Sequence, residues 1–427
     1  MHRLLVWLPC CLALLLSGCG APAVGGELAK SSQARDTAPS VGGADSGALA
    51  AGNTEFALDL YQQLRTEDEN LFFSPYSISV AIAMTYAGAR GQTERQMANA
   101  LGFYLPPEEL HPAFNALSLE LARRGSEGRG GPGRRFELHV ANALWGQTGH
   151  SFLPDFLDVL ARNYGAGVRL VDFVKEGDSA RATINQWVSD ETKGKIVDLV
   201  PASAIDHTVR FVLTNAVYFD AAWQHKFRKE ATSPGGFHLL DGRQVSAEMM
   251  RQTEVFGYAE RDGCQALEMP YAGGELALVI LLPALGQFRA FDASCDADRV
   301  GPIIGALSQR RVAVTVPRFK FESAFRLDRP LAAMGMRDAF VFPLADFSGM
   351  DGTRLLYLGA VLHKAYVAVD EEGTEAAAAT AVVGRAGGAA GPRRLIEFTV
   401  DRPFLFLIRD VKTDTILFLG RVLDPTA

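Results

Sequence analysis

The chain has 427 residues, of which 48% are hydrophobic and 21% charged, and a formal net charge of -7. That is an ordinary globular composition, long enough for one large domain or two ordinary ones and with ample apolar material for a core. The negative charge argues against a general nucleic-acid binder.

The first residues read as a targeting segment. His2 and Arg3 precede an apolar run from Leu4 to Leu16, too short to span a bilayer and suited to a signal-peptide core. The run ends in Leu16-Ser17-Gly18-Cys19. Small residues before a cysteine resemble the bacterial lipobox, where cleavage precedes the cysteine and its thiol is lipidated. The alternative is a plain secretory signal with an incidental cysteine. Residues 1–18 are therefore expected to be a lipoprotein signal peptide and Cys19 the lipidation site. Buried acyl chains supply about 0.8 kcal/mol per CH₂, and a stable anchor needs more than one chain. Residues 20–52 are rich in Ala, Gly and Ser and lack aromatics. They extend from Cys19 as a flexible tether, and the folded domain is expected over residues 53–427. Cys10 and Cys11 leave with the signal, so Cys264 and Cys295 remain as one disulfide or two free buried thiols. No cysteine or histidine pair is spaced like a metal site.

Helices dominate the first half. Asn53 or Thr54 can cap a helix with Phe56, Leu60 and Leu64 on one face. Ser77 to Ala87 is apolar almost all round, as in a buried helix. Thr93-Glu94-Arg95-Gln96 has the form of a capping box, with Gly102 as the stop. Further helices are predicted near Glu108–Ala122, Leu153–Asn163, Ser179–Thr192 and Asp298–Ser308, and Leu327, Leu331 and Met334 mark another. Strands are predicted over Phe136–Val140, Arg210–Phe219, Val255–Ala259, Gln265–Tyr271, Glu275–Leu282, Arg311–Val316, Leu362–Val369, Leu395–Val400, Phe404–Ile408 and Thr415–Gly420. Gly273-Gly274 reads as a hairpin turn. Without regular strand–helix alternation this is an α+β pattern with antiparallel sheets.

No constellation supports catalysis. Gly128-Arg129-Gly130-Gly131-Pro132-Gly133 matches a dinucleotide fingerprint as a string, but it precedes a strand rather than a helix and reads as a surface loop. His363 falls in a strand, where a hydrogen-bonded core role is expected rather than that of a base. Arg123, Arg124, Arg129, Arg134 and Arg135 flank the glycine-rich loop. They are a candidate polyanion site or a solvated loop.

From Val369 the chain carries acids, a glycine and an alanine run. Asp370-Glu371-Glu372-Gly373-Thr374-Glu375-Ala376-Ala377-Ala378-Ala379-Thr380 resembles the reactive-loop hinge of the serpins. Asn70-Leu71-Phe72-Phe73-Ser74-Pro75, Thr214-Asn215-Ala216-Val217-Tyr218-Phe219 with Trp223, Leu267-Glu268-Met269-Pro270-Tyr271, Val316-Pro317-Arg318-Phe319-Lys320, Asp346-Phe347-Ser348-Gly349-Met350 and Asp401-Arg402-Pro403-Phe404-Leu405-Phe406 are similar to further blocks of that family, in order. The resemblance covers residues from about Asn53 to Pro425.

The resemblance implies a serpin fold of three mainly antiparallel sheets and about nine helices with an exposed reactive-centre loop. It implies suicide inhibition of a serine protease, trapped as an acyl-enzyme when the cut loop inserts into the central sheet, and no enzymatic activity of the chain itself. By the same resemblance Ser74, Ser77, Asn215 and His363 form a polar shutter beneath the opening sheet, and Trp223 marks the breach where insertion starts.

Alternate residues Thr374, Ala376, Ala378, Thr380 and Val382 would face the core of an inserted strand. All are small or β-branched and uncharged, and no proline lies between Thr374 and Pro392, so nothing blocks insertion. The family's spacing places the scissile bond between Gly387 and Gly388. Small bait suits elastase- or subtilisin-like proteases. Arg385-Ala386, or the arginines Arg393 and Arg394, would suit a trypsin-like one.

A monomer without cofactor, metal or nucleic acid is expected. It would be lipid-anchored in a bacterial cell envelope or extracellular. The rival readings are a non-inhibitory serpin acting as a binding protein and an envelope hydrolase.

Overall fold

The computed structural model describes residues 27–126, 136–205, 207–374 and 395–427. The described residues open with strand β1 (Glu27–Ala29), helix α1 (Gly43–Leu64), β2 (Leu71–Phe73), α2 (Pro75–Tyr86), α3 (Gly91–Leu101), α4 (Pro107–Ser126), β3 (Phe136–Gln147), α5 (Pro154–Tyr164), β4 (Val168–Val171) and α6 (Gly177–Glu191). The chain continues through β5 (Phe211–Ala222), β6 (Ser233–His238), β7 (Gln244–Arg261), β8 (Cys264–Pro270), β9 (Leu276–Pro283), α7 (Phe288–Ala293) and α8 (Ala297–Gly305). It closes with β10 (Ser308–Pro317), β11 (Phe319–Arg326), α9 (Asp328–Ala333), α10 (Ser348–Asp351), β12 (Ala360–Val369), β13 (Gly373–Thr374), β14 (Ile396–Thr399), β15 (Phe404–Asp410) and β16 (Ile416–Val422).

Local chemistry sets several boundaries. Ser74 caps α2 by accepting from the Ser77 N–H, and Pro75 supplies a first turn that needs no donor. Gly102 and Gly165 end α3 and α5 in the left-handed region, at φ of 62° and 63°.

Two hydrogen-bonded sheets result. One runs β1-β4-β3-β5-β13-β12-β11, and the other β14-β10-β7-β8-β9-β15-β16-β2, with β6 on β7. The expectation of three sheets becomes two by hydrogen bonding because β7 is 18 residues long. Its first residues, Gln244 to Met249, pair with β6 and its last, Gly257 to Arg261, with β8, so one strand joins two layers. Ten α-helices pack around them among the described residues. Strands β9 and β16 are buried along their whole length, and Phe72 stacks on Phe406 and Phe418. Helix α2, buried almost throughout, packs against both sheets.

Two further expectations change. The tether does not run to Gly52: β1 is a strand and α1 begins at Gly43. Unpaired groups on the edge of β4 give β1 its ladder, and the run Ala48-Leu49-Ala50-Ala51 favours helix. Asn53 is then mid-helix and donates to the Ile416 carbonyl at 2.9 Å. Nor does the Thr93–Gln96 box form. Thr93 Oγ1 instead accepts from the Asp346 N–H, and Gln96 Oε1 from the Asp338 N–H.

Candidate functional site

The seven-stranded sheet has a parallel seam between β5 and β12. It is zipped from Ala360 opposite Val212 to Tyr366 opposite Tyr218. Beyond Tyr218 and Tyr366 the two strands diverge, and β13 fills the wedge. Gly373 lies opposite Ala222, while Thr374 lies opposite Ala221 on one side and Val369 on the other. The chain has turned back after β12, so β13 is antiparallel to both neighbours.

Glycine is required at 373. A Cβ there would stand 2.0 Å from the Ala221 carbonyl oxygen. Thr374 is fully buried, and its hydroxyl is 2.6 Å from the Tyr271 hydroxyl.

The turn between β12 and β13 is held from several sides. Trp223 Nε1 donates to the Asp370 carbonyl at 2.8 Å, and its ring stacks on Tyr271 with centroids 4.7 Å apart. The Trp223 and Phe227 N–H groups donate to the carbonyls of Glu372 and Glu371. Arg318 Nε donates to the Glu371 carboxylate at 2.8 Å, and Thr232 Oγ1 also donates to it. Burial pushes the Glu371 carboxyl up, but those hydrogen bonds outweigh it and hold the group below its ordinary range. Lys226 Nζ lies 2.7 Å from the Glu372 carboxylate, and this hydrogen bond lowers that group too.

Lower in the seam is a polar row. Asn142 on β3, Asn215 on β5 and His363 on β12 are register partners. The Ser74 N–H donates to His363 Nε2 at 3.3 Å, which leaves Nδ1–H to donate to the Asn215 carboxamide oxygen. Asn215 Nδ2 donates to Ser77 Oγ at 2.5 Å and to the Asn142 oxygen. Ser74 Oγ donates to the Leu417 carbonyl at 2.6 Å. Burial lowers the His363 ring to about 3, so it is neutral at physiological pH.

The structure thus brings Ser74, Ser77, Asn215 and His363 into one network and sets Trp223 at the wedge with Glu371, Glu372, Gly373 and Thr374. Asn142, Thr232 and Lys226 belong to the site and escaped the sequence reading, while Tyr271 and Arg318 stood there only inside family blocks, without a role at the hinge. The rest of the hinge (Glu375, Ala376, Ala377, Ala378, Ala379, Thr380), the bait candidates Gly387, Gly388, Arg385 and Ala386, and Cys19 lie outside the described residues.

The polyanion reading changes at Arg124. α4 runs on to Ser126 and turns this side chain inward, where it meets the Asp410 carboxylate at 2.6 Å and Glu120 at 2.8 Å. Arg123 stays at the surface and forks onto Glu120. Arg129, Arg134, Arg135 and the glycine-rich loop at Gly128–Gly133 lie outside the described residues. Cys264 and Cys295 are free and buried. Among the described residues no cluster of His, Cys, Asp or Glu is placed to hold a metal ion.

Chemically, this arrangement suits strand addition. The seam carries a backbone ladder, the wedge already accepts two residues, and the groups around it hold chain rather than attack a bond.

A family profile described as Serpin (serine protease inhibitor) matches residues 51–425. Leukocyte elastase inhibitor A of Mus musculus is 39% identical over 395 residues, covering 88% of this chain and 99% of its own. An uncharacterized serpin-like protein of Thermococcus kodakarensis is 38% identical over 370 residues, covering 87% of this chain and 84% of its own. Among solved structures, the native state of the thermophilic serpin tengpin superposes with a TM-score of 0.79 at 28% identity, covering 93% of this chain and 97% of that one. Serpin48 of Tenebrio molitor gives a TM-score of 0.77 at 29% identity, over 88% of this chain and 98% of that one.

Proposed function

This chain belongs to the serpin family, and from that premise we propose that it is a suicide-substrate inhibitor of serine proteases, held at a bacterial cell surface by lipid on Cys19. The observation that carries the inhibitory reading is the wedge. Gly373 and Thr374 already sit between β5 and β12 in the orientation of a strand being added.

The register extends without obstruction. Continued one residue at a time from Gly373 and Thr374, an inserted strand would set Ala376 between Phe219 and Val367, Ala378 between Val217 and Ala365, and Thr380 between Asn215 and His363. Each of these side chains is small and uncharged and would fall on the face of Thr374. Loop insertion in serpins is itself a standing example of strand addition releasing stored strain.

In the proposed reaction the protease serine attacks the carbonyl of Gly387. Its oxygen forms the ester, and the amine of Gly388 leaves. This chain supplies bait and strand, and the protease supplies the catalytic groups. Relatives named as leukocyte elastase inhibitors support an elastase-like target, whose pocket suits a small bait residue. The lipobox-like Leu16-Ser17-Gly18-Cys19 supports the anchor.

The test incubates the protein with elastase-, subtilisin- and trypsin-like proteases. A complex that survives SDS is expected, with release of a C-terminal peptide beginning at Gly388. A peptide beginning at Ala386 would move the bait to Arg385. Clean cleavage by all three without any complex would overturn the inhibitory reading.

A further inference from the structure

The register of the seven-stranded sheet fixes the end of the molecule at which the N-terminal segment arrives. The hinge end carries β13, with Ala222 and Val369 beside it. The opposite end carries Phe211 opening β5, Gln147 closing β3, Val171 closing β4 and Ala360 opening β12. β1 runs antiparallel to β4 with Glu27 opposite Leu170 and Ala29 opposite Val168. The chain therefore comes into β1 from the end far from the hinge.

Distance makes this decisive for an anchor. The 12 residues of β5 span the sheet between its ends, about 40 Å at the rise of a strand. Cys19 precedes Glu27 by 8 residues, a reach of at most roughly 28 Å when fully extended. Lipid on Cys19 cannot hold the hinge end at a bilayer.

The far end also carries an apolar surface. Phe342, Leu344 and Leu355 are 56%, 59% and 63% exposed, with Val341 beside them at 44%, a cluster rather than a single exposed apolar residue. Backbone bonds fix their segment there: the Leu358 N–H donates to Ala339 and the Gly359 N–H to Phe211. The Phe342 ring packs against Tyr357, whose hydroxyl donates to the Thr208 carbonyl. Arg210, at the same end, donates to the carbonyls of His207 and Val209 and so keeps its charge uncompensated by these contacts.

We propose that this end of the molecule docks on the bilayer that holds the acyl chains of Cys19. Phe342, Leu344 and Leu355 enter the headgroup layer, and Arg210 faces anionic lipid. The reactive loop is then presented at the end pointing away from the membrane. The proposal rests on the lipidation reading and is independent of the inhibitory one.

The test uses the full lipidated protein in vesicles of phosphatidylethanolamine and phosphatidylglycerol. A polarity-sensitive fluorophore is placed at Leu355→Cys and, in a second variant, at Glu230→Cys, an exposed position between Lys229 and Thr232, whose side chains meet Glu372 and Glu371 of the hinge. The Leu355 probe should shift to the blue and be quenched by brominated acyl chains, while the Glu230 probe does neither. Protein that floats with the vesicles but leaves the Leu355 probe unquenched, or quenches both probes alike, overturns the docking and leaves the lipidation intact. Self-quenching at Leu355 without lipid quenching assigns the face to a second copy of the chain and likewise overturns it. Failure to float removes the lipidation reading and this proposal together.

Discussion

Asn215 on β5 and His363 on β12 face each other across the seam as register partners, and the imidazole N–H of His363 closes the gap onto the Asn215 carboxamide. Burial holds that imidazole neutral, lowering it from 6.5 to about 3. The sign follows directly. An opened or unfolded state takes up a proton below about pH 6.5 and the closed state does not, so stability is lost as pH falls from there toward 3. By about pH 5 the loss from this group is roughly 2 kcal/mol. Thermal unfolding measured at about pH 7 and pH 5 should show the drop, and His363→Asn should shrink it. His111, lowered to about 4 by burial, adds a drop of the same sign that His111→Gln removes. An unchanged pH slope in His363→Asn would show that the seam histidine does not titrate as the geometry demands.

The hinge offers a steric test. Gly373→Ala puts a methyl 2.0 Å from the Ala221 carbonyl oxygen, so β13 must leave the wedge. Thr374 should lose amide protection in hydrogen exchange, and the yield of trapped protease should fall in favour of plain cleavage. Tyr271→Phe removes only the hydroxyl contact, worth about 1 kcal/mol, and should loosen Thr374 without expelling it. Thr374→Arg forces a charge into the fully buried position and should be cleaved without trapping. Normal trapping by Thr374→Arg would mean that the wedge is not where insertion begins.

Thr380 tests the register over a longer reach. In the inserted state it would stand between Asn215 and His363, its hydroxyl replacing the bond those two make now. Thr380→Val should still trap protease, but the cleaved form should be less stable by about 1–3 kcal/mol, because buried polar groups lose a partner. Thr380→Glu should stop insertion at the polar row and be recovered as cleaved inhibitor. If Thr380→Glu traps as well as the parent, the ladder does not continue as Gly373 and Thr374 start it.

The strands were readable because burial writes itself into sequence. β5 is buried almost throughout and reads as a near-continuous apolar run, whereas the alternation read over Ala376 to Val382 falls outside the described residues. What escaped depends on distant partners. Asn142 joins the seam network only because register sets it beside Asn215, 73 residues away. The strand signal fades at Ala141-Asn142-Ala143, which lacks branched residues, although β3 runs on to Gln147. Thr93 and Gln96 look like a local cap until the chain from Asp338 to Asp346 claims both side chains. Composition likewise made residues 27–52 a tether, since nothing in Ala and Gly content reveals an open sheet edge waiting for β1.

That N-terminal segment should matter to stability. Arg35 Nε donates to the Asn115 carboxamide at 2.8 Å, its terminal nitrogen donates to Ser118 Oγ at 3.1 Å, and Asn115 in turn donates to the Asp36 carbonyl at 2.7 Å. Asn115 is fully buried. Arg35→Ala strips a partner from it and should cost about 1–3 kcal/mol in thermal unfolding. Removing residues 27–42 should go further, baring the edge of β4, and size-exclusion chromatography should then show higher-order species formed by edge pairing. A deleted chain that stays monomeric and equally stable would make β1 a passive passenger.

Arg124 and Arg123 are neighbours in sequence and opposites in environment, and the difference is measurable. Arg124 is buried against Asp410, which is also buried and also accepts from the Lys412 N–H and Thr413 Oγ1. Truncating one member of such a pair leaves an uncompensated charge inside the protein, so Arg124→Ala should destabilise by about 3–5 kcal/mol. Asp410→Asn should cost less, because it keeps an acceptor for its neighbours and leaves Arg124 its Glu120 contact at 2.8 Å. Arg123 holds Glu120 from the surface, where an exposed pair contributes up to about 1 kcal/mol, and Arg123→Ala should be nearly silent. Retention on a sulfated-polysaccharide matrix separates the structural role from a recognition role. Arg124→Ala should elute with the parent at temperatures where both are folded. Lost retention at unchanged stability would show that this guanidinium reaches solvent after all and serves a polyanion.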